Sequence, residues 1–163
     1  MSSRLRWRRW VSWALLCSSI AACTTPPVVQ TSSQAIWRGR LALSIEQQPP
    51  ERWQANFVLM GSPAEGELHI LSPLGTLLAK ATWRPGSAAI QRGSTRTAYA
   101  DTASMTAALT GADLPLSALF AWLQGQDMQV SGWHIEHPAT HLVIAQRETP
   151  LPVLKLRIAL TSP

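Results

Sequence analysis

The sequence predicts an α+β domain in which an antiparallel, half-open β-barrel is covered by a small helical lid. In the first and last thirds of the domain, apolar residues alternate with polar ones, as in strands with one buried face. Between these regions, two short segments show the spacing of amphipathic helices. The predicted sheet has about eight or nine short strands, and its apolar face is larger than two short helices can cover. We therefore expect an incomplete barrel.

The first two strands form a hairpin. Alternation begins at Ile36, and one side of the first strand carries Trp37, Gly39, Leu41, Leu43 and Ile45. After the break "QQPPE", the second strand places Trp53, Ala55, Phe57 and Leu59 on its apolar side. The following "GSPAEG" is rich in turn-forming residues, so it predicts a tight connection to a third strand.

The third and fourth strands flank the stretch "SPLG" at positions 72 to 75. Pro73, Leu74 and Gly75 predict a turn, which is an unusual place for a leucine. Either this side chain folds back over the core or it stays exposed for a purpose. Beyond the turn, the fourth strand presents Leu77, Ala79, Ala81 and Trp83 on one face, and "RPG" at 84 to 86 reverses the chain.

Two short strands at 88–91 and 95–99 precede the helices. Asp101 or Thr102 is a suitable N-cap for a helix that ends at Gly111. Pro115 opens a second helix, and Gly125 is placed to end it. The second helix carries an apolar stripe made of Leu116, Leu119, Phe120 and Leu123. Strands are then predicted at 132–136, 142–147 and 153–160.

The N-terminal segment has the organisation of a bacterial lipoprotein leader. Arg4, Arg6, Arg8 and Arg9 precede an apolar stretch that is too short to span a bilayer. "IAAC", ending at Cys23, resembles a lipobox, although an ordinary cleavage site with a chance cysteine is the alternative. We predict a signal peptide at 1–22, an acylated Cys23 with a flexible tether through residue 35, and one domain at 36–163. Thr24, in place of aspartate, favours the periplasmic face of the outer membrane.

Charge and cysteine content exclude several classes of function. Without the four leader arginines, the chain has ten basic and nine acidic residues, so no strong positive patch for nucleic acid is expected. Cys17 leaves with the leader and Cys23 is taken by lipid, which leaves no pair for a disulfide. No catalytic motif occurs, and we expect neither an enzyme nor a cofactor. His134, His137 and His141 are not expected to form a metal site, because Pro138 and Ala139 should turn the chain between them.

The interior of the predicted barrel has two interpretations. It either forms a hydrophobic hollow that accepts a hydrophobic ligand, or its own side chains fill it as a packed core. Periodicity does not distinguish the two. The residues offered to an acyl-chain cavity are Trp37, Leu41, Leu43, Phe57, Leu59, Trp83, Leu119, Phe120, Trp122 and Leu123.

Four stretches resemble the outer-membrane lipoprotein receptor LolB family: "WRGRLAL", "GELHILSPLGTLLAKATWRPG", "LTGADLPLSALFAWLQGQ" and "LKLRIAL". The turn at Ser72–Gly75 corresponds to the family's (Asn or Ser)-Pro-Leu-Gly loop. The resemblance implies a half-barrel of about eleven strands, related to the periplasmic carrier LolA, that accepts acylated lipoproteins from that carrier and inserts them into the outer membrane. It also implies that Leu74, held by Pro73 and Gly75, protrudes to serve insertion.

The resemblance has limits, and a different class of function stays open. Family members usually have a longer N-terminal segment with a helix, for which this chain offers little length before Ile36. We expect a monomer whose partners are LolA, acylated lipoproteins and outer-membrane lipid. The alternative is an outer-membrane lipoprotein with a filled core that acts as a structural component of an envelope complex through its sheet edge.

Overall fold

A computed structural model describes residues 35–161, which form nine strands and two helices. The predicted leader, Cys23 and nearly all of the predicted tether lie outside these residues. The elements, in chain order, are β1 (Ala35–Glu46), β2 (Glu51–Gly61), β3 (Gly66–Leu71), β4 (Leu77–Arg84), β5 (Ser87–Arg92), β6 (Thr95–Tyr99), α1 (Thr102–Thr110), α2 (Leu116–Leu123), β7 (Trp133–Ala139), β8 (Leu142–Arg147) and β9 (Val153–Leu160).

All nine strands belong to one antiparallel sheet, in the order β6-β5-β4-β3-β2-β1-β9-β8-β7. The first six strands follow one another as hairpins, and the last strand, β9, returns to pair with β1. The two edges of the sheet are therefore β6 and β7, which are consecutive strands along the chain. Because they lie at opposite edges, the helical segment between them has to cross a face of the sheet.

The strands are staggered in one direction across the sheet. A single row of paired residues runs from Leu71 in β3 through Asn56, Arg40 and Ala159 to Leu142 in β8. The last residue of β3 is thus level with the first residue of β8. A stagger that moves both strand ends in the same direction is typical of tilted strands in a barrel. The sheet is open, since β6 and β7 do not pair with each other.

The predicted strand pattern is confirmed for most of the chain. The boundaries of β8 and β9 agree with the prediction, and the inward positions of β1 and β2 are those that alternation indicated. Two details differ. Pro138 and Ala139 do not turn the chain, because β7 continues to Ala139 through an irregular register, and the turn follows at Thr140. Leu77 is half exposed, because the row facing the core starts at Ala79.

The core lies between the inner face of the sheet and the helices. Its most completely buried large side chains come from five strands and both helices: Leu43, Leu59, Ile90, Met105, Trp122 and Leu154, with Trp83 nearly as deep. Helix α2 is buried on almost every side, with Ser117 as its one exposed residue. It therefore lies within the fold, whereas α1 buries only Met105 and Thr106. The predicted lid thus consists of a deeply buried helix, α2, and a less buried helix, α1, which lies beside β5 and β6.

Gly39 marks a close approach between β1 and β9. A Cβ atom at this position would lie 2.2 Å from the backbone oxygen of Ala159. Since neither backbone can move without breaking the ladder, we expect Gly39→Ala to lower the free energy of unfolding by about 1–3 kcal/mol. Urea denaturation followed by tryptophan fluorescence would measure this change. Ser44→Ala, which alters the outer side of the same strand, should leave the midpoint unchanged. Equal midpoints for both variants would contradict the prediction.

Candidate functional site

Helix α1 is capped by hydrogen bonds at both of its ends. The carboxylate of Asp101 accepts a hydrogen bond from the Ser104 backbone N–H at 2.7 Å, which caps the helix and holds the pKa of Asp101 below its ordinary value. At the other end, the Gly111 N–H donates to the Ala107 carbonyl at 2.8 Å. Pro115 then starts α2. These caps define both ends of α1.

A narrow apolar cavity of about 60 Å³ lies between the helices and the inner face of the sheet. The surface of its wall is apolar, and the hydroxyl groups of Thr106 and Thr110 in the lining already bond to backbone carbonyls of α1 and of Ala112. The wall therefore offers no free polar group to a ligand. Such a cavity suits hydrocarbon and excludes charged or hydrogen-bonding molecules.

Seven of the ten residues predicted for an acyl-chain cavity line this space. They come from the two central strands, from β4 and from α2: Leu41, Leu43, Phe57, Leu59, Trp83, Leu119 and Leu123. The remaining three lie in the packing around it. Trp37 meets Phe120 edge to face, with ring centroids 5.1 Å apart. Trp122 packs against Trp133 at 5.6 Å, and its Nε1 donates to the Met128 carbonyl at 2.9 Å.

The loop between β3 and β4 presents Leu74 to solvent. Inside the turn, the N–H of Gly75 donates to the Ser72 carbonyl at 2.9 Å, and the N–H of Thr76 donates to the Ser72 hydroxyl at 3.1 Å. Gly75 has φ of 86°, a left-handed conformation that favours glycine. Leu74, at the tip, is 96% exposed. Of the two conformations expected for this leucine, the structure has the protruding one.

Comparison with known proteins decides the family. The family model described as "Outer membrane lipoprotein LolB" matches residues 35–151. This chain belongs to the LolB family. It is 29% identical to the outer-membrane lipoprotein LolB of Chromobacterium violaceum in an alignment of 143 residues that covers 77% of this chain and 78% of that protein. It is also 29% identical to the LolB of Bordetella petrii in an alignment of 127 residues that covers 74% of this chain and 63% of that protein.

The LolB family match includes the leucine loop and every cavity-lining residue except Leu156, and it stops before β9 begins. The predicted lipidation site, Cys23, precedes both the match and the described residues, so its acylation stays a prediction. Nine strands are described, whereas the resemblance implied about eleven. None of the helices within residues 35–161 is long and apolar enough to cross a bilayer.

Glu67 and His137, which lie outside the cavity, have structural partners. Glu67 on the outer face lies 2.6 Å from Lys80, and the hydrogen bond from this ammonium group holds the pKa of Glu67 below its ordinary value. His137 contacts Asp127 at 3.0 Å and the Trp122 carbonyl at 2.9 Å, so it ties β7 to the end of α2. Within the part of the chain that the structure describes, no three potential metal ligands come together.

Several cavity residues were not identified from the sequence. From the helical segment, Met105, Leu109, Leu114 and Leu116 line the cavity, and from the sheet so do Trp53, Leu68, Ile70, Ala81 and Leu156. The sheet residues could have been found, because alternation already placed them on the inner side. Met105 and Leu109 were harder to find, because α1 is rich in alanine and threonine and has no clear apolar stripe.

Proposed function

We propose that this chain is an outer-membrane lipoprotein receptor that accepts acylated lipoproteins from the periplasmic carrier LolA and inserts them into the outer membrane. The main observation behind the proposal is the exposure of Leu74. An almost fully exposed leucine held by a hydrogen-bonded turn contributes nothing to the domain's own packing. It is suited to enter another apolar phase. The two curated relatives are named outer-membrane lipoproteins, which supports the same location for this chain.

The energetics of acyl chains explain why such a receptor needs an apolar interior. Burying each CH₂ group is worth about 0.8 kcal/mol, so three chains of roughly sixteen carbons hold a lipoprotein in its host by several tens of kcal/mol. Release into water would be far too slow. A protein cavity that replaces the bilayer keeps most of this free energy, and transfer then depends on small differences in affinity between successive hosts.

The interior has to open before it accepts an acyl chain. Its volume of about 60 Å³ is well below the roughly 150 Å³ that holds a benzene molecule. Opening requires the cover to move, and α1 is the part that moves at lower cost. It buries two residues, whereas α2 buries seven, including Trp122. We propose that α1 swings away from the sheet while α2 stays in place, so that an acyl chain replaces the side chains of α1.

Membrane attachment in this proposal depends on Cys23. Lipid on this cysteine would hold the domain at the periplasmic face of the outer membrane, and the residues after it would act as the tether. No nucleotide or cofactor is needed, because the free energy of each step comes from the exchange of one apolar host for another. We propose that the receptor works as a monomer.

Photo-crosslinking tests the proposal. A photoreactive residue at Leu43, Phe57 or Leu119, all on the cavity wall, should crosslink to the acyl chains of a lipoprotein delivered by LolA. Val58, next to Phe57 but on the outer side of β2, is the matched control and should not crosslink. If the interior positions give no lipid crosslink while the edge strands β6 or β7 crosslink to envelope proteins, the scaffold alternative is correct.

A further inference from the structure

The exposed apolar side chains are concentrated at one end of the sheet. Among the described residues, six large apolar side chains are exposed. Four of them lie in or beside two hairpin loops, namely Leu74, Leu77 and Leu78 at the β3–β4 loop and Leu151 at the β8–β9 loop. Leu151 is 78% exposed, second only to Leu74. The exposure of these four leucines at the same end of the sheet therefore calls for a common explanation.

The register places both loops at the same end of the molecule. Strands β1, β3, β5 and β8 all run in the same direction, toward this end of the sheet. The connections that follow them therefore lie here, namely β1–β2, β3–β4, β5–β6 and β8–β9. The β8–β9 loop starts further along the strand direction than the β3–β4 loop. The offset is about five residues, because Leu71 is level with Leu142 and β8 runs on to Arg147, and strand tilt in a barrel reduces such an offset along the barrel axis. Measured across the strands, the two loops are four strand spacings apart, about 19 Å.

The β8–β9 loop is fixed at its base and free at its tip. The guanidinium of Arg147, which is buried, donates from one terminal nitrogen to the Pro152 carbonyl at 3.3 Å. On the other side, the Glu148 N–H donates to the Gly132 carbonyl at 3.3 Å. Leu151 stands between Pro150 and Pro152, whose rings restrict the backbone on both sides. The loop therefore presents Leu151 outward without using it in the core.

We propose that Leu151 is a second membrane-contact residue, which enters the bilayer interface together with the Leu74 loop. The inference rests on the proposed function. A bilayer is the fitting partner because each leucine stands on its own loop, with four strand spacings between the loops, so the two do not form one contiguous apolar patch. Two separate apolar points at one end of the sheet suit a flat fluid phase better than a contiguous protein interface. The exposed charged residues at this end of the sheet include basic Arg52 and Arg92 and acidic Glu46, Glu51 and Glu148, so no strong positive patch faces the bilayer and binding should not depend on salt.

Fluorescence quenching in vesicles tests this inference. Leu151→Cys and Leu74→Cys are made separately in the full-length acylated chain, labelled with a polarity-sensitive dye and reconstituted into phosphatidylethanolamine–phosphatidylglycerol vesicles with doxyl lipids. Ile36→Cys is the matched control, because Ile36 is an exposed apolar residue at the opposite end of β1. The chain without an added cysteine shows any labelling at Cys23. We expect loss of fluorescence at 74 and 151, at low and high salt alike, and none at 36.

The outcomes separate the inference from the function it rests on. Quenching at 74 with none at 151 would overturn the second contact and leave the proposed function in place. No quenching at either position would contradict membrane entry by Leu74 as well. If the dye at 151 becomes shielded only when the carrier protein is added, the loop contacts a protein and the inference is wrong. Equal quenching at 36 would also overturn it, because the contact would then not be specific to this end.

Discussion

Replacing Leu74 by glutamate is expected to stop delivery of lipoproteins to the membrane while the domain stays folded. Leu74 is 96% exposed and makes no core contact, so the free energy of unfolding should change by no more than about 0.5 kcal/mol. At the membrane, the variant loses the burial of a leucine, worth about 1.5–3 kcal/mol, and the rate of insertion should fall about ten-fold or more. Transfer of a labelled lipoprotein from the loaded receptor to vesicles would measure it.

Ala64→Glu provides the matched control for Leu74→Glu. Ala64 is exposed in the β2–β3 turn, at the end of the sheet opposite to the leucine loop. The Ala64→Glu substitution adds the same charge and should leave delivery of lipoproteins to the membrane unchanged. Acceptance of lipoprotein from LolA should be normal in both variants, because neither residue lines the cavity. Delivery by the glutamate variant at the normal rate would show that Leu74 is not the insertion element. Loss of acceptance would indicate a different role for the loop.

The sheet was predictable from the sequence because each strand has one solvent-exposed face and one buried face. In β1, β2 and β9, every second residue is buried, and this alternation fixes both the strand and its orientation. The turn at Leu74 was equally clear, since Pro73 and Gly75 limit the backbone conformations available there. Where pairing becomes irregular, as near Pro138, local sequence gave the wrong boundary because the neighbouring strand, β8, holds β7 in place.

The interior could be predicted only in part, because it depends on how deeply the helices enter the sheet. The apolar stripe of α2 predicted one buried face, whereas the structure also buries Ala118 and Ala121, so that the helix is covered on almost every side. Arg147 has an inward position in β8, although a charged side chain is expected on the outer face. The hydrogen bond from its guanidinium group to the loop carbonyl of Pro152 accounts for its burial. Such contacts join distant parts of the chain and leave no periodic signal.

Met105 provides the most direct test of whether α1 covers a functional cavity. Its side chain is 1% exposed and lies on the cavity wall. Met105→Ala should lower the free energy of unfolding by about 2–5 kcal/mol, because the core loses the side chain and a larger void remains. The same void should make room for hydrocarbon, so a fluorescent fatty acid should bind more tightly than to the unaltered domain. Met105→Trp should have the opposite effect on binding, because the larger ring fills the cavity and holds α1 more strongly against the sheet, and an acyl chain has to displace α1.

The opposite effects of these two variants are what distinguish a binding cavity from an ordinary core. In an ordinary packed core, both substitutions would destabilise the domain, and neither would change fatty-acid binding in a systematic direction. Met128→Ala is the control, since Met128 is partly exposed and does not line the cavity. Titration with the fatty acid, combined with urea denaturation of each variant, would give both quantities. Tighter binding by Met105→Trp than by Met105→Ala would contradict displacement of α1 by an acyl chain, because a side chain that holds α1 more strongly against the sheet should hinder that displacement.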